Sequence, residues 1–315
     1  VAGRRGGGVA VLPLALGELR RGISDQGGVI EGFGRGGAAL LRPGKKGGIA
    51  TDASCLPLVP FGNRVSGNRF VWQAQEYHLA PNVAWDEHYL HGDGWLGEWQ
   101  CESQTDDALT LAYQQQDGVY RYRATQGFHL TAESLVMTLS VTNHGAETLP
   151  FGLGWHPLFP LAPQTTVQAK ASGYWLEREQ WLAGAFSERF ADGLDFSHPA
   201  PLPRRWLNNG FAGWDGVAHI AQPQAGYRLT METDPPAPCY FLFVSDPAFD
   251  EGYAFEFFCL EPMSHAPDDH HRPHGGDLTA LAPGESTSLS MTLRVSELPE
   301  VGFSYAVARR MKGNG

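Results

Sequence analysis

Apolar residues recur at every second position along several stretches of this chain. In Leu135-Val136-Met137-Thr138-Leu139-Ser140-Val141-Thr142 the odd positions are apolar and the even ones mostly polar. Successive side chains of a strand point to opposite faces, so this period marks a strand with one buried face. Leu289 to Val295 and Tyr227 to Thr233 repeat the pattern. Cys239 to Val244 and Tyr253 to Leu260 are denser aromatic runs, as expected of strands covered on both faces. Turn signals fall between the runs at Gln116-Asp117-Gly118, Asn143-His144-Gly145 and Pro283-Gly284. No long stretch carries a 3.6-residue period, although Glu177 to Phe190 has room for a short helix. Many strands at this spacing predict an all-β chain built as one large antiparallel β-sandwich.

Of the 315 residues, 42% are hydrophobic, enough to bury a substantial core. No linker-like change of composition divides the middle, so a single domain over residues 15–297 is expected. Residues 1–14, rich in Gly and Arg, are expected to be flexible, and 298–315 to form a tail. Lys+Arg number 23 against 34 Asp+Glu, a formal net charge of -11. That balance argues against a nucleic-acid partner, which requires basic patches to neutralise phosphates. No apolar run reaches the roughly 18 residues needed to span a membrane. Arg4 and Arg5 before Val9 to Leu16 imitate a secretory leader, but Pro13 interrupts the run and no small-x-small site follows. Cys55, Cys101, Cys239 and Cys259 lack CxxC spacing, and two lie inside apolar runs. This reads as buried thiols in a reducing compartment, and a cytoplasmic location is expected.

The phosphate-loop, nucleophile-elbow and zinc-helix motifs are absent, and unusual chemistry concentrates in four segments. Pro60-Phe61-Gly62-Asn63-Arg64-Val65 carries an arginine at a turn, which taken alone reads as a solvated surface charge. Leu90-His91-Gly92-Asp93-Gly94-Trp95-Leu96-Gly97-Glu98-Trp99 sets a histidine among glycines and two indoles. Glycine lets a backbone approach a ligand, and an indole offers a flat apolar face for a sugar ring, although Trp95 and Trp99 read equally well as core. In Gly154-Trp155-His156-Pro157 the proline holds the preceding backbone extended, which fixes the imidazole, whether as an acid or as a partner for a buried carbonyl. In Phe257 to His265, Glu261 ends an almost wholly apolar strand. Desolvation there raises its pKa and makes it a better base near neutral pH; a capping or ion-paired carboxylate is the alternative.

In this order, Pro-Phe-Gly-Asn-Arg-Val at 60–65, Leu-His-Gly at 90–92, Gly-Trp-His-Pro-Leu-Phe at 154–159 and Leu-Glu-Pro at 260–262 resemble the aldose 1-epimerase (galactose mutarotase) family. The resemblance continues through Leu41-Arg42-Pro43, Val141-Thr142-Asn143, Phe211-Ala212-Gly213-Trp214-Asp215-Gly216 and Leu281 to Glu285, and covers roughly residues 15–297. It implies a galactose mutarotase-like sandwich that interconverts the α and β anomers of a free aldose without a cofactor or metal. On the family's pattern Glu261 is the base at the anomeric hydroxyl, His156 the acid at the ring oxygen and His91 an assistant there. Arg64 binds sugar hydroxyls, and Asn63 and Trp95 belong to the substrate-binding set. Asn208 stands where the family usually has an aspartate, which costs a charge-assisted bond to the sugar, and Asp215 is the nearby carboxylate that could compensate.

Mutarotation requires one proton removed from the anomeric hydroxyl while another reaches the ring oxygen, and one base and one acid suffice. Three other readings compete: a non-catalytic sugar-binding sandwich, a metal enzyme using Asp268-Asp269-His270-His271-Arg272-Pro273-His274, and a hexose-6-phosphate 1-epimerase. Adjacent residues on an extended chain point to opposite sides, so Asp268 to His271 would need a tight loop to face one ion; by the resemblance this loop is a polar rim over the pocket. A phosphate dianion usually needs two or more cationic donors. Only Arg64 lies in the matched site motifs, with Arg204, Arg205 and Arg272 the candidates to supplement it.

Overall fold

The structure, a computed structural model, describes residues 11–44 and 52–298. It is nearly all β, with 52% of residues in strands and 7% helical. The alternating segments pair with one another. Ser134–Asn143 lies between Tyr122–Leu130 and Ser286–Glu297, and Tyr227–Asp234 flanks the latter on its other side. Their apolar residues, among them Leu135, Met137, Leu139, Leu229, Met231, Leu289 and Met291, are buried on one face of a nine-stranded antiparallel sheet. Loss of water contact by this face is the main force holding the sandwich together.

The second large sheet has eleven strands. Its centre runs in the order Cys55–Leu58, Gly154–Pro160, Phe257–Met263, Cys239–Val244 and Leu207–Ala212. Phe257–Met263 is buried at every position and Cys239–Val244 at all but Phe243. One face of these strands packs into the sandwich core; the other forms the floor of a cavity.

Three expectations are corrected. Glu177 to Phe190 is not a helix: Gly173–Arg178 and Leu182–Ser187 form an antiparallel hairpin around a single 3-10 turn. Gln180 and Trp181 take left-handed φ of 59° there, which a helix cannot accommodate. Tyr253 to Phe255 precede their strand as irregular chain with a bend at Phe255. Val11–Leu16, assigned in part to a flexible segment, is a strand paired along its length with Leu19–Ser24. The remainder of the segment expected to be flexible, residues 1–10, and the tail beyond Leu298 lie outside the described residues. All four cysteines are free, and Cys55, Cys239 and Cys259 are buried. No helix among the described residues is long and apolar enough to cross a membrane.

Candidate functional site

Strand register brings the acid and base candidates together. Gly154 pairs with Met263 and Leu158 with Cys259, so His156 and Glu261 sit side by side on neighbouring strands with their side chains on the same face. His156 Nε2 lies 3.2 Å from Glu261 Oε1. His156 Nδ1 and Glu261 Oε2 are buried without a hydrogen-bond partner, so the facing atoms are the ones committed to each other. Burial pushes the Glu261 carboxyl well above its usual range, against the pull of the Arg64 charge, and pushes His156 down to about 4. Each group is thereby favoured uncharged, and at 3.2 Å the protonation of one is coupled to that of the other.

His91 enters from the loop after Tyr89–Leu90, which pairs with Arg64–Val65. Asn63 and His91 both adopt left-handed φ, 61° and 59°, and hold each other: the His91 amide donates to the Asn63 carbonyl, and the Asn63 amide donates to His91 Nδ1. Nδ1 is therefore an acceptor, and the ring proton is on Nε2. Burial, reinforced by the neighbouring His156, Arg64 and His265, pushes His91 well below its usual value. Its ring stands edge-on to His156 at 5.4 Å and to Trp95 at 6.2 Å. Gly92, next in the chain, has φ 68°, and a Cβ there would lie 2.2 Å from the carbonyl oxygen of Val59. The glycine serves a close approach of two backbones, where the sequence suggested an approach to a ligand.

Arg64 is buried, not a solvated charge: its Nε and Nη2 each lie 2.8 Å from Asp86 Oδ2, and its guanidinium lies over the Trp181 ring at 5.4 Å. Asp86 also accepts the His88 amide. A cavity of about 850 Å³ is lined by Glu261, His156, His91, Arg64, Asn63, Asn208 and Trp95. Trp95 is wall and core at once, its indole N–H bonded to the carbonyls of Leu90 and Gly92, whereas Trp99 is core only. Asn208 donates to the carbonyl of Trp181.

Asp215 does not reach this cavity. It is exposed in the turn before Val217–Gln222, where its carboxylate accepts the Val217 amide. Nor do residues 268–274 form a rim: Asp268 accepts the Ser66 amide, Asp269 is buried on the amides of Ala266 and Asp277, and His270 meets the Tyr120 hydroxyl and the Phe61 ring. This loop supports the 61–66 segment from behind. Arg204 and Arg205 are exposed, and Arg272 packs on Trp175 beside Asp269, so none of the three lines the cavity. The side chains that do converge as possible metal ligands are His91, His156 and Glu261, whose ligand atoms lie within 4.8 Å of one another.

Sequence reasoning missed Asp86, Trp181, Phe241, Phe243 and Phe249, all close to or lining this cavity. Asp86 carries no local signal that separates it from the chain's other acids. Phe241 and Phe243 sit in a strand apolar on both faces, where the period that would reveal the cavity side is erased.

The aldose 1-epimerase family model matches residues 17–294. The uncharacterized protein YphB of Escherichia coli K12 is 71% identical over 290 residues, which cover 92% of this chain and all of that one. A crystal structure from Escherichia coli K12, described provisionally as an aldose 1-epimerase, superposes with a TM-score of 0.91 at 71% identity, over 92% of this chain and 100% of that chain. At 15% identity, galactose 1-epimerase from Lactobacillus acidophilus NCFM shares the fold, with a TM-score of 0.74 over 92% of this chain and 95% of its own. With the family's motifs meeting at one cavity and its model spanning nearly the whole described chain, this protein belongs to the aldose 1-epimerase family.

Proposed function

We propose that this protein is an aldose 1-epimerase acting on unphosphorylated sugars with a free anomeric carbon. The observation that carries the reading is the 3.2 Å approach of Glu261 Oε1 and His156 Nε2 at the cavity floor. The two groups are as close as an acid and a base must be to serve two oxygens bonded to one carbon. A bound sugar takes the place of their mutual contact, with its anomeric hydroxyl at Glu261 and its ring oxygen at His156. Glu261 as carboxylate takes the hydroxyl proton while imidazolium His156 delivers its own to the ring oxygen. The C1–O5 bond breaks, its electron pair stays on O5, and an aldehyde forms. Rotation about C1–C2 and reversal of both transfers closes the ring on its other face. The pair contains the same number of protons before and after. His91, held as the Nε2–H tautomer, donates to the ring oxygen as charge develops there. Arg64, anchored by Asp86, offers its remaining donors to sugar hydroxyls.

Two arginines line the cavity, Arg42 and Arg64, but Asp52, Asp250, Glu256 and Glu261 line it too. This carboxylate surplus supports a neutral sugar over a phosphate dianion. The test is polarimetry of freshly dissolved α-glucose and α-galactose, with glucose 6-phosphate alongside. Faster decay of rotation for the free sugars is the expected result. A kcat/KM favouring the phosphate by about tenfold, about 1.4 kcal/mol of transition-state binding, makes the phosphate epimerase the better reading. Methyl glycosides, whose rings cannot open, should at best inhibit. The rate should survive EDTA, and loss in EDTA with rescue by a divalent ion would instead give His91, His156 and Glu261 a metal to hold.

A further inference from the structure

The segment that holds His91 is held in turn by a second histidine. Two consecutive amides donate to imidazole rings: Asn63 N–H to His91 Nδ1 at 3.0 Å, and Gly62 N–H to His265 Nε2 at 2.9 Å. His91 lines the cavity, whereas His265 is 1% exposed and does not. A backbone amide can only donate, so His265 Nε2 carries no proton and Nδ1 carries one. Nδ1 donates to the Ala266 carbonyl at 2.8 Å, which fixes the same tautomer from the other side of the ring.

His265 also lies where three segments of the site meet. It follows Glu261 along the chain, and its neighbour Ser264 exchanges hydrogen bonds with Leu153, shortly before His156: the Ser264 amide donates to the Leu153 carbonyl and the Leu153 amide to Ser264 Oγ. The Gly152 amide donates to the Pro60 carbonyl at 2.7 Å. A Cβ on Gly152 would lie 2.1 Å from His265 Cδ2, so glycine is what lets the imidazole rest against that backbone. Asp269 steadies the far side by accepting the amides of Ala266 and Asp277. Burial, against the pull of the Asp269 and Asp277 charges, holds His265 below the ordinary histidine value. Near neutral pH the ring is therefore uncharged, and Nε2 is open as an acceptor.

We propose that His265 is a positioning residue for His91: by accepting the Gly62 amide it aims the next amide, that of Asn63, at His91 Nδ1 and so keeps the His91 proton on Nε2. The two amides are separated by a single Cα, so anchoring the first restricts the direction of the second. The use made of that proton, donation to the sugar ring oxygen, rests on the epimerase reading above; the tautomer itself does not.

The experiment pairs two substitutions that each keep one of the ring's hydrogen bonds. His265→Asn retains a donor near Nδ1 for Ala266 and loses the acceptor for Gly62, whereas His265→Gln sets an amide oxygen near the Nε2 position. Long-range proton–nitrogen correlation spectra of isotope-labelled histidine read the His91 tautomer, and polarimetry of α-glucose and α-galactose reads kcat and KM. His265→Asn should give mixed His91 tautomers and lower kcat about tenfold or more, with KM changed by less than about threefold. His265→Gln should restore the single tautomer and most of kcat. A purely structural role moves the urea midpoint in both variants and leaves the His91 tautomer alone, and that result overturns the assignment. Mixed tautomers at wild-type kcat overturn it as well. In the wild-type protein the Gly62 amide should show a coupling across its hydrogen bond to His265 Nε2, and absence of that coupling refutes the assignment without any variant. A tautomer change in His265→Asn, reversed in His265→Gln, in a protein that epimerises no sugar supports the positioning and overturns the epimerase reading.

Discussion

Glu261 and His156 carry opposite demands in one contact. Burial favours both groups uncharged, yet in the proposed reaction the first proton transfer begins from the carboxylate and the imidazolium. The 3.2 Å contact reconciles the two in that proposal, because a proton passed from Oε1 to Nε2 creates the reactive form without exchange with solvent. Glu261→Gln and His156→Asn should each lower the epimerisation rate by about 100-fold or more with the fold intact; near-wild-type rates in both would refute the assignment. Asp86 has a different task, to hold the Arg64 guanidinium in place. Both side chains are almost fully buried, at 9% and 1% exposure. Removing one partner of such a pair typically costs about 3–5 kcal/mol, because the other charge is left uncompensated. Asp86→Asn should therefore lower the urea midpoint and raise KM about tenfold with a smaller effect on kcat. The paired change Arg64→Met with Asp86→Leu should be less destabilising than Asp86→Asn alone. A double variant no more stable than the single one would show that the ion pair does not explain the loss.

At the scale of elements, the floor and the walls of the cavity are built differently. The floor is sheet, where hydrogen-bonded register places His156 beside Glu261. Two short loops in the walls are tied to each other by the Asn63 backbone, which bonds both the His91 amide and the His91 ring. Gly92 is the point at which that tie is most exposed to substitution. Gly92→Ala would place a Cβ 2.2 Å from the carbonyl oxygen of Val59 at φ 68°. A left-handed non-glycine residue costs roughly 1–2 kcal/mol, and the clash adds to it. The expected outcome is a loss of about 2 kcal/mol or more in urea unfolding, together with reduced turnover as His91 shifts. Wild-type stability and rate in this variant would mean that the loop has slack the structure does not show. The 268–274 loop belongs to this level too: it bears on the site only by holding the 61–66 segment.

For the molecule as a whole, the buried histidines make stability depend on pH. His91, His156, His265 and His270 all titrate below the ordinary histidine value of 6.5 because burial disfavours the cation, with His156 at about 4. Between these values the unfolded chain binds more protons than the folded one, so their contribution is full above pH 6.5 and is lost as pH falls towards 4. Glu261 acts in the opposite sense: its raised pKa gives stability that is lost as pH rises above its usual 4.5. The urea midpoint should fall between pH 6.5 and 4, and His156→Asn should make that fall shallower by removing one titrating ring; an equal slope in the two proteins would contradict this. Sequence alone determined the sandwich, because a two-residue period in Leu135 to Thr142 or Leu289 to Val295 can bury its apolar face only in a sheet. It also singled out the segments that carry Glu261, His156, His91 and Arg64, but their roles came from the family resemblance, and Arg64 taken alone read as a solvated charge. Tertiary structure decided what stands beside them. Asp86 joins Arg64, Asp215 stays in its turn, residues 268–274 pass behind the site, and Phe241 and Phe243 face the cavity. Register and loop packing bring together residues far apart along the chain, and a strand apolar on both sides carries no local mark of which face meets the ligand.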